Sequence, residues 1–500
     1  MAKKFPPGAF SWMMYDWANS AFATTVMAGF FPIFFGNYYS KGTSGEISTF
    51  WLGLSVSIAG IIVALSAPVL GAIADRGHYR KKLLLFFASM GIISTGCLYL
   101  VQVGQWPLAA LLYILGTIGF QSGDSLYNSL LKDVSTEDTV DKISGLGFAL
   151  GYLGGGLLFT INVLMTLNPQ WFGLVPSEIS ELSKLIEENK IGFVELSQRI
   201  AALPENNKII VEIKQAFAEK KLSENELREL VISAVSSAKA LAVKISFLSV
   251  SLWWALFSLP LAFFVHERGA ATPFGVREAI KRGFVQLRET LSKVSRLRQL
   301  ALFLFAYWFY IDGVDTIIVM ATKIGQSLGF GTAELITALL LVQFVGFPFA
   351  WLFGYLGQRF TPKPFIFLAI FVYMLVTILA YKIKPPQGEE KVVWNVFGFE
   401  VHPFFVIAFL IGSVQGGIQA LSRSFYSRLI PEDKSGEFFG FYNMLGKFAA
   451  ILGPIMVGTI GLWTGSVQKG LLSLLLLFGA GAIFLSLVNE QKAREAAREI

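Results

Sequence analysis

Cysteine occurs once, at Cys97 within an apolar run, so the chain can form neither an internal disulfide nor a thiolate metal site. Histidine occurs three times, at His78, His266 and His402, with no metal-ligand spacing, and neither a metal nor another cofactor is expected. Charge is scarce: 15% of residues are charged against 54% hydrophobic, with a mean hydropathy of +0.59. That balance excludes an ordinary soluble globular chain. Ten-residue alternating segments are also missing, which argues against a membrane β-barrel. The net charge of +7 does not imply a nucleic-acid partner, because the basic residues fall where membrane topology needs them.

What the chain does have is apolar runs of about 20 residues, each long enough to cross a hydrocarbon core roughly 30 Å thick. Twelve spans are predicted, at 10–38, 48–73, 83–102, 107–131, 143–167, 245–265, 300–322, 333–356, 364–383, 403–426, 437–461 and 469–488. The fold class is therefore an all-α polytopic membrane protein. The run that follows Lys3 and Lys4 is too long for a signal-peptide core and reads as a retained first helix.

Lysine and arginine in the short loops set the orientation. One side carries Arg76, Arg80, Lys81, Lys82, Lys132, Lys142, Arg359, Lys363, Arg428, Lys434 and Lys492, with the basic run from Arg268 to Arg298. The other carries only Lys41, Lys323, Lys382, Lys384, Lys391 and Lys469, apart from one long loop. Both termini are expected in the cytoplasm, and in a bacterium the membrane would be the inner one. Four units follow: 1–265, with a helical extracytoplasmic insertion at 168–240; a basic amphipathic linker at 266–299; 300–488; and a tail at 489–500. The linker, with Arg277, Lys281, Arg282, Arg288, Lys293 and Arg296, suits contact with anionic lipid head groups. A monomer is expected.

The two halves echo one another. Asp16-x-x-Asn19 in span 1 recurs as Asp312-x-x-Asp315 in span 7, and Gly71-Ala-Ile-Ala-Asp75-Arg76 recurs as Gly354-Tyr-Leu-Gly-Gln358-Arg359. Leu126-Tyr127-Asn128 aligns with Phe425-Tyr426-Ser427. At the Gly71–Lys82 stretch the chain resembles the major facilitator superfamily, whose loop signature is Gly-x-x-x-Asp-Arg-x-Gly. Here the second glycine falls one place early, at Gly77, and His78 takes its position. Tyr15-Asp-Trp-Ala-Asn-Ser-Ala-Phe22, the Asp312 region and Gln419–Pro454 are similar to the unknown-major-facilitator group that includes the fungal vacuole amino-acid effluxers. The resemblance implies two six-helix bundles around a central cavity lined by spans 1, 4, 7 and 10, working by alternating access. It also implies a cytoplasmic conformational latch formed by Gly71, Asp75, Arg76 and Arg80, with Arg359 in the second half.

Polar residues fall on those four spans at helical spacing. Span 1 has Asp16 and Asn19; span 4 has Gln121, Asp124 and Asn128; span 7 has Trp308, Asp312 and Asp315; span 10 has Gln415, Gln419 and Arg423. A carboxylate inside the bilayer is costly and so marks a functional site by default. Asp312, near the midplane, can carry a proton, bind a substrate ammonium, or serve structurally beside Arg423 or Gly313. Asp315, Trp308, Asn19, Gln415 and Gln419 complete the expected substrate and proton cavity. Asp16, Asp124, Asn128 and Arg423 lie closer to the cytoplasmic ends of their helices and read as a gate, although Arg423 could instead clamp a carboxylate. No catalytic constellation is present, so an enzyme is not expected. The expected function is secondary active transport of a small polar solute, an amino acid or similar zwitterion, coupled to protons. The alternatives are a lipid-like solute on the same fold, or a non-transporting scaffold or receptor that uses the 168–240 insertion.

Overall fold

The computed structural model describes residues 5–220, 222–268, 298–327, 330–383, 394–396, 399–431 and 434–498, with the isolated positions 278, 281 and 285. Most of the expected lipid-contacting linker lies outside the described residues, as does the side chain of Arg76. Ten helices among the described residues are long and apolar enough to cross a membrane. Two more, span 4 (Trp106–Ser129) and span 11 (Ser435–Thr464), complete the twelve. Span 4 is diluted by the polar residues that its inner face must carry. The remaining helices used below are span 1 (Ala9–Tyr39), span 2 (Gly45–Gly77), span 3 (Arg80–Cys97), span 5 (Val140–Leu167) and span 6 (Glu224–Phe264). In the second half they are span 7 (Arg298–Ser327), span 8 (Thr332–Arg359), span 9 (Pro362–Lys382), span 10 (Pro403–Leu429) and span 12 (Leu474–Leu487). One departure from an all-helical chain is a short antiparallel ladder pairing Trp394–Val396 with Phe399–Val401.

Each half buries its own core. Trp12, Phe22, Phe31, Phe247 and Trp254 centre the first, and Phe303, Tyr310, Tyr373, Phe425 and Phe478 the second. Outward faces stay apolar and exposed, as at Ile61, Phe86, Phe263, Phe371 and Leu476, which is what a lipid-facing surface requires. The repeat extends to the helix ends. Lys81 Nζ donates to the carbonyls of Ala262 (3.2 Å) and Val265 (2.8 Å) at the end of span 6. Lys363 Nζ does the same to Ser486 (3.1 Å) and Val488 (2.8 Å) at the end of span 12. Both lysines satisfy carbonyls left over at a helix C-terminus and complement its dipole. At the end of span 2, His78 holds a left-handed backbone (φ 50°). That is the conformation a glycine would supply at this position of the loop signature.

Residues 177–238 form the helices Ser177–Glu187, Phe193–Ala202 and Lys208–Lys220 against the start of span 6. They share a separate apolar cluster that includes Ile179, Leu196, Ile213, Leu227 and Val231.

The start of span 1 and the helix Glu490–Arg498 lie at one end of the bundle, with Gly8 against the Phe264 carbonyl and Arg494 paired with Glu137, and the halves come into backbone contact there. At Gly71 an added Cβ would fall on the carbonyl of Gly436, and at Gly440 it would stand 2.7 Å from Pro68 Cα. The symmetry-related contact joins span 5 to span 8, where a Cβ on Gly145 would lie 2.6 Å from Gly354 Cα. Only glycine admits such backbone-to-backbone approach between helices.

Candidate functional site

Between the halves lies a cavity of about 340 Å³. Five faces meet there at helical periodicity: Asp16, Asn19 and Ala23 of span 1; Phe120, Asp124 and Asn128 of span 4; Tyr307, Ile311 and Asp315 of span 7; Gln415, Gln419 and Arg423 of span 10; and Tyr442, Asn443 and Gly446 of span 11. Phe148, Gly151 and Tyr152 of span 5 and Gln343 of span 8 close the sides. Thus Asp315, Asn19, Gln415 and Gln419, expected in the cavity, are among its lining residues. So are Asp16, Asp124, Asn128 and Arg423, expected as a gate.

Two expected cavity residues lie elsewhere. Asp312 is 1% exposed and faces span 11, not the cavity. Its Oδ1 accepts the Gly453 N–H (2.9 Å) and the Thr316 hydroxyl (3.3 Å). Trp308 shares that face of span 7 and does not line the cavity. Successive helical residues turn by about 100°, so the 307–311–315 stripe and the 308–312–316 stripe cannot both face one space. Asp312 secures span 11 immediately before Pro454, where the proline has removed a backbone donor. Asp312→Asn keeps an acceptor for Gly453, so thermal unfolding of the purified protein should shift little. Asp312→Leu leaves that buried N–H unpaired and should cost about 1–3 kcal/mol. Equal melting of the two variants would dismiss this structural role.

The floor of the cavity is built around Arg423. It comes from span 10 in the second half, yet nearly every group it touches belongs to the first half. Its Nη1 donates to Asn128 Oδ1 (2.9 Å), its Nε to Ser144 Oγ (2.9 Å), and its Nη2 to the Ser144 carbonyl (2.9 Å). Nη2 also pairs with Asp16 Oδ2 at 3.4 Å, and the same oxygen accepts the Tyr127 hydroxyl at 2.8 Å. Aromatic rings flank the guanidinium, with centroids at 4.3 Å (Phe148), 4.8 Å (Trp12) and 5.6 Å (Tyr127). Arg423 is 2% exposed. The glycines of span 5 make room for this assembly: a Cβ on Gly147 would stand 2.6 Å from Asp16 Oδ2, and one on Gly151 2.6 Å from Ser20 Oγ.

Nearer the termini, a second network ties the halves. Asp75 accepts the Gly436 and Glu437 N–H groups, both at 2.8 Å, and so caps the N-terminus of span 11. Arg80 lies 3.7 Å from Asp75 and 2.9 Å from Asp133, and donates to Ser435 Oγ at 2.6 Å. Burial raises the Asp133 carboxyl above the ordinary carboxylate range, against the opposing pull of Arg80. The counterpart in the second half uses Gln358, whose Oε1 accepts the Asp141 N–H (3.0 Å) and whose Nε2 donates to the Glu137 carbonyl (3.1 Å). Asp141 also pairs with Arg428. Arg359, expected in this latch, is instead exposed and lies 5.5 Å from the ring of its neighbour Phe360. It follows Gln358 by one residue and so points away from the interface.

Sequence reasoning missed Trp12, Ser144, Phe148, Gln343, Tyr442 and Asn443, and used Tyr127 only to align the repeat. Helical spacing offers a signal for Tyr442 and Gly446, four apart, and none for Ser144.

Twelve helices in two like halves around a polar cavity define a membrane transporter of the major facilitator fold. Among solved structures, FucP in its outward conformation matches with a TM-score of 0.60 at 12% identity, covering 96% of this chain and 97% of its own. The proton:xylose symporter XylE matches with a TM-score of 0.55 at 12% identity, covering 97% and 95%. The family described as "Vacuole effluxer Atg22 like" matches residues 8–173 and 229–498, and the chain belongs to that family. The interval between the two matched segments lies within the helical insertion. Full-length similarity extends to the uncharacterized MFS-type transporter YxiO of Bacillus subtilis, 32% identical over 100% of this chain and 99% of that protein. Autophagy-related protein 22 of Coccidioides immitis is 23% identical over 89% of this chain and 73% of its own length. The protein is an integral membrane secondary transporter, not an enzyme.

Proposed function

We propose that this transporter moves a small polar solute, an amino acid or a similar zwitterion, by alternating access and with proton coupling. The observation that carries the reading is the cavity lining: carboxylates, amides, tyrosines and one arginine, drawn from both halves, in a space of about 340 Å³. Such a lining offers donors and acceptors to both ends of a zwitterion. A lipid-like solute would leave those buried polar groups unpaired, so it is the poorer fit.

The positive-inside pattern puts the termini, and with them the closed end of the cavity, in the cytoplasm. No ion pair among the described residues joins the halves at the opposite end, and the solute would enter or leave there. Asp75, Arg80 and Gln358 then act as the cytoplasmic latch, and the basic linker at 266–299 rests on anionic head groups.

Purified protein in liposomes, given a mixture of labelled amino acids and an imposed pH gradient, should accumulate or release label several-fold faster than empty liposomes. Label movement equal to that of empty liposomes for every amino acid and both gradient directions would refute the reading. The scaffold alternative predicts that result.

A further inference from the structure

The contacts of Arg423 join the two halves of the molecule. A guanidinium anchored in one half is held by side chains of the other, at the closed end of the cavity. Opening that end requires withdrawing Arg423 from Asp16, Asn128, Ser144 and three aromatic rings together. Of these groups only Asp16 carries a charge; like Asn128 and Phe148 it lines the cavity, and its carboxylate can exchange a proton with cavity water.

We propose that Asp16 is the binding site of the coupling proton, and that protonating it releases Arg423 and opens the cytoplasmic end. This rests on the proton-coupled reading above. A proton from cavity water adds to the Asp16 carboxylate and gives a neutral carboxylic acid. The ion pair with Arg423 is lost, and the guanidinium is left buried among neutral acceptors, the costly arrangement for a charge. The closed conformer is thereby weakened relative to the open one, in which Arg423 is hydrated.

The titratable and charged neighbours of Asp16 support the assignment. From span 10 it faces Arg423, and from span 4 Tyr127, with Asp124 one bridging residue away: Asn128 donates to Asp124 at 3.0 Å and accepts from Arg423. Tyr15 lies beside it on span 1, its ring 5.0 Å from that of Tyr127. Span 5 meets Asp16 at Gly147 and Gly151, and the side chains it adds to the assembly, Ser144 and Phe148, are neutral. Asp312 is excluded from this role because Gly453 and Thr316 hold it away from the cavity.

The sign follows directly. With Asp16 ionised the pair favours the closed conformer, and that preference is lost as pH falls. The test uses spin labels at Lys82→Cys and Thr361→Cys, exposed positions at the termini end of opposite halves, in a Cys97→Ser background. Double electron–electron resonance in nanodiscs then reads the separation of the halves between pH 5 and pH 8. The parent protein should shift at least tenfold toward the longer distance as pH falls. Asp16→Asn should show the longer distance at every pH with no remaining pH response. Tyr127→Phe, which removes only a hydroxyl donor and preserves packing, should move the pH midpoint and keep the response. A parent that does not respond to pH would overturn the proposal, as would an Asp16→Asn protein that responds like the parent. No solute is needed for this readout. Failure of transport in liposomes alongside the expected distance changes would sink the proposed function and leave the role of Asp16 standing.

Discussion

Arg423→Leu is expected to reduce transport more than any other single substitution in the cavity. The leucine removes a guanidinium that makes three hydrogen bonds near 2.9 Å and an ion pair at 3.4 Å, all to the opposite half. It also leaves the Asp16 carboxylate buried, with Tyr127 as its remaining donor in that group. Removing one partner of a buried ion pair costs about 3–5 kcal/mol. The loss falls on the closed conformer alone, because opening separates these groups. A gap of that size shifts the closed-to-open ratio by roughly two to four orders of magnitude, enough to stall a cycle that must pass through both states. Initial rates in liposomes should fall at least a hundredfold, while Arg423→Lys, which restores a charge without the planar fork, should recover only part of the loss. A leucine variant with more than a tenth of the parent rate would show that the assembly around Arg423 does not govern the cycle.

How much of this could be read beforehand depended on the physics behind each feature. The fold was legible because apolar runs of membrane length are a one-dimensional signal. The cavity was legible in part. Polar residues at spacings of three and four identified the right helices, and Asp16, Asn19, Asp124, Asn128, Asp315, Gln415, Gln419 and Arg423 all line it. Rotation of the helix about its own axis was not legible. Span 7 carries carboxylates on two adjacent stripes, and nothing in Asp312-Gly-Val-Asp315 says which faces the cavity. That choice is settled by Gly453 of span 11, far away in sequence, whose N–H takes Asp312.

Contacts between the halves were harder still. Spacing grouped Arg423 with Asp16, Asp124 and Asn128 as a gate and also left Asp312 open as its partner, but it could not say that the ion pair is with Asp16. Ser144, a small polar residue among glycines, has no local signature, although it gives Arg423 two acceptors. Arg359 was drawn into the latch by its alignment with Arg76, but the repeat preserves the interface position and not its chemistry. Gln358 there accepts one backbone N–H, as Asp75 accepts two. A neutral amide therefore answers a carboxylate across the pseudo-symmetry, and the two latches differ in strength.

That asymmetry makes Gly71 the position where a substitution should act on the cycle with least effect on folding. A Cβ there would collide with the Gly436 carbonyl and stand 2.8 Å from the Glu437 nitrogen, and both are backbone atoms that no rotamer change can move aside. Gly71→Leu must therefore push span 2 away from the start of span 11. This also breaks the two hydrogen bonds to Asp75, since they reach the same Gly436 and Glu437 nitrogens. Overpacking a tight contact costs about 1–3 kcal/mol, and the lost bonds to a charged acceptor bring the total to at least the upper end of that range. At 3 kcal/mol the closed conformer falls by roughly a hundredfold. The open conformer carries none of this strain, so the thermal midpoint of the purified protein should stay near that of the parent while liposome transport is lost. The spin-label pair at Lys82 and Thr361 should report the longer separation even at pH 8, where the parent is closed. Gly354→Leu, at the span 5 contact, should act in the same direction by forcing Gly145 away. A Gly71→Leu protein that keeps the short distance and the parent transport rate would show that the two halves tolerate a side chain where the structure has backbone against backbone, and that this contact does not set the closed state.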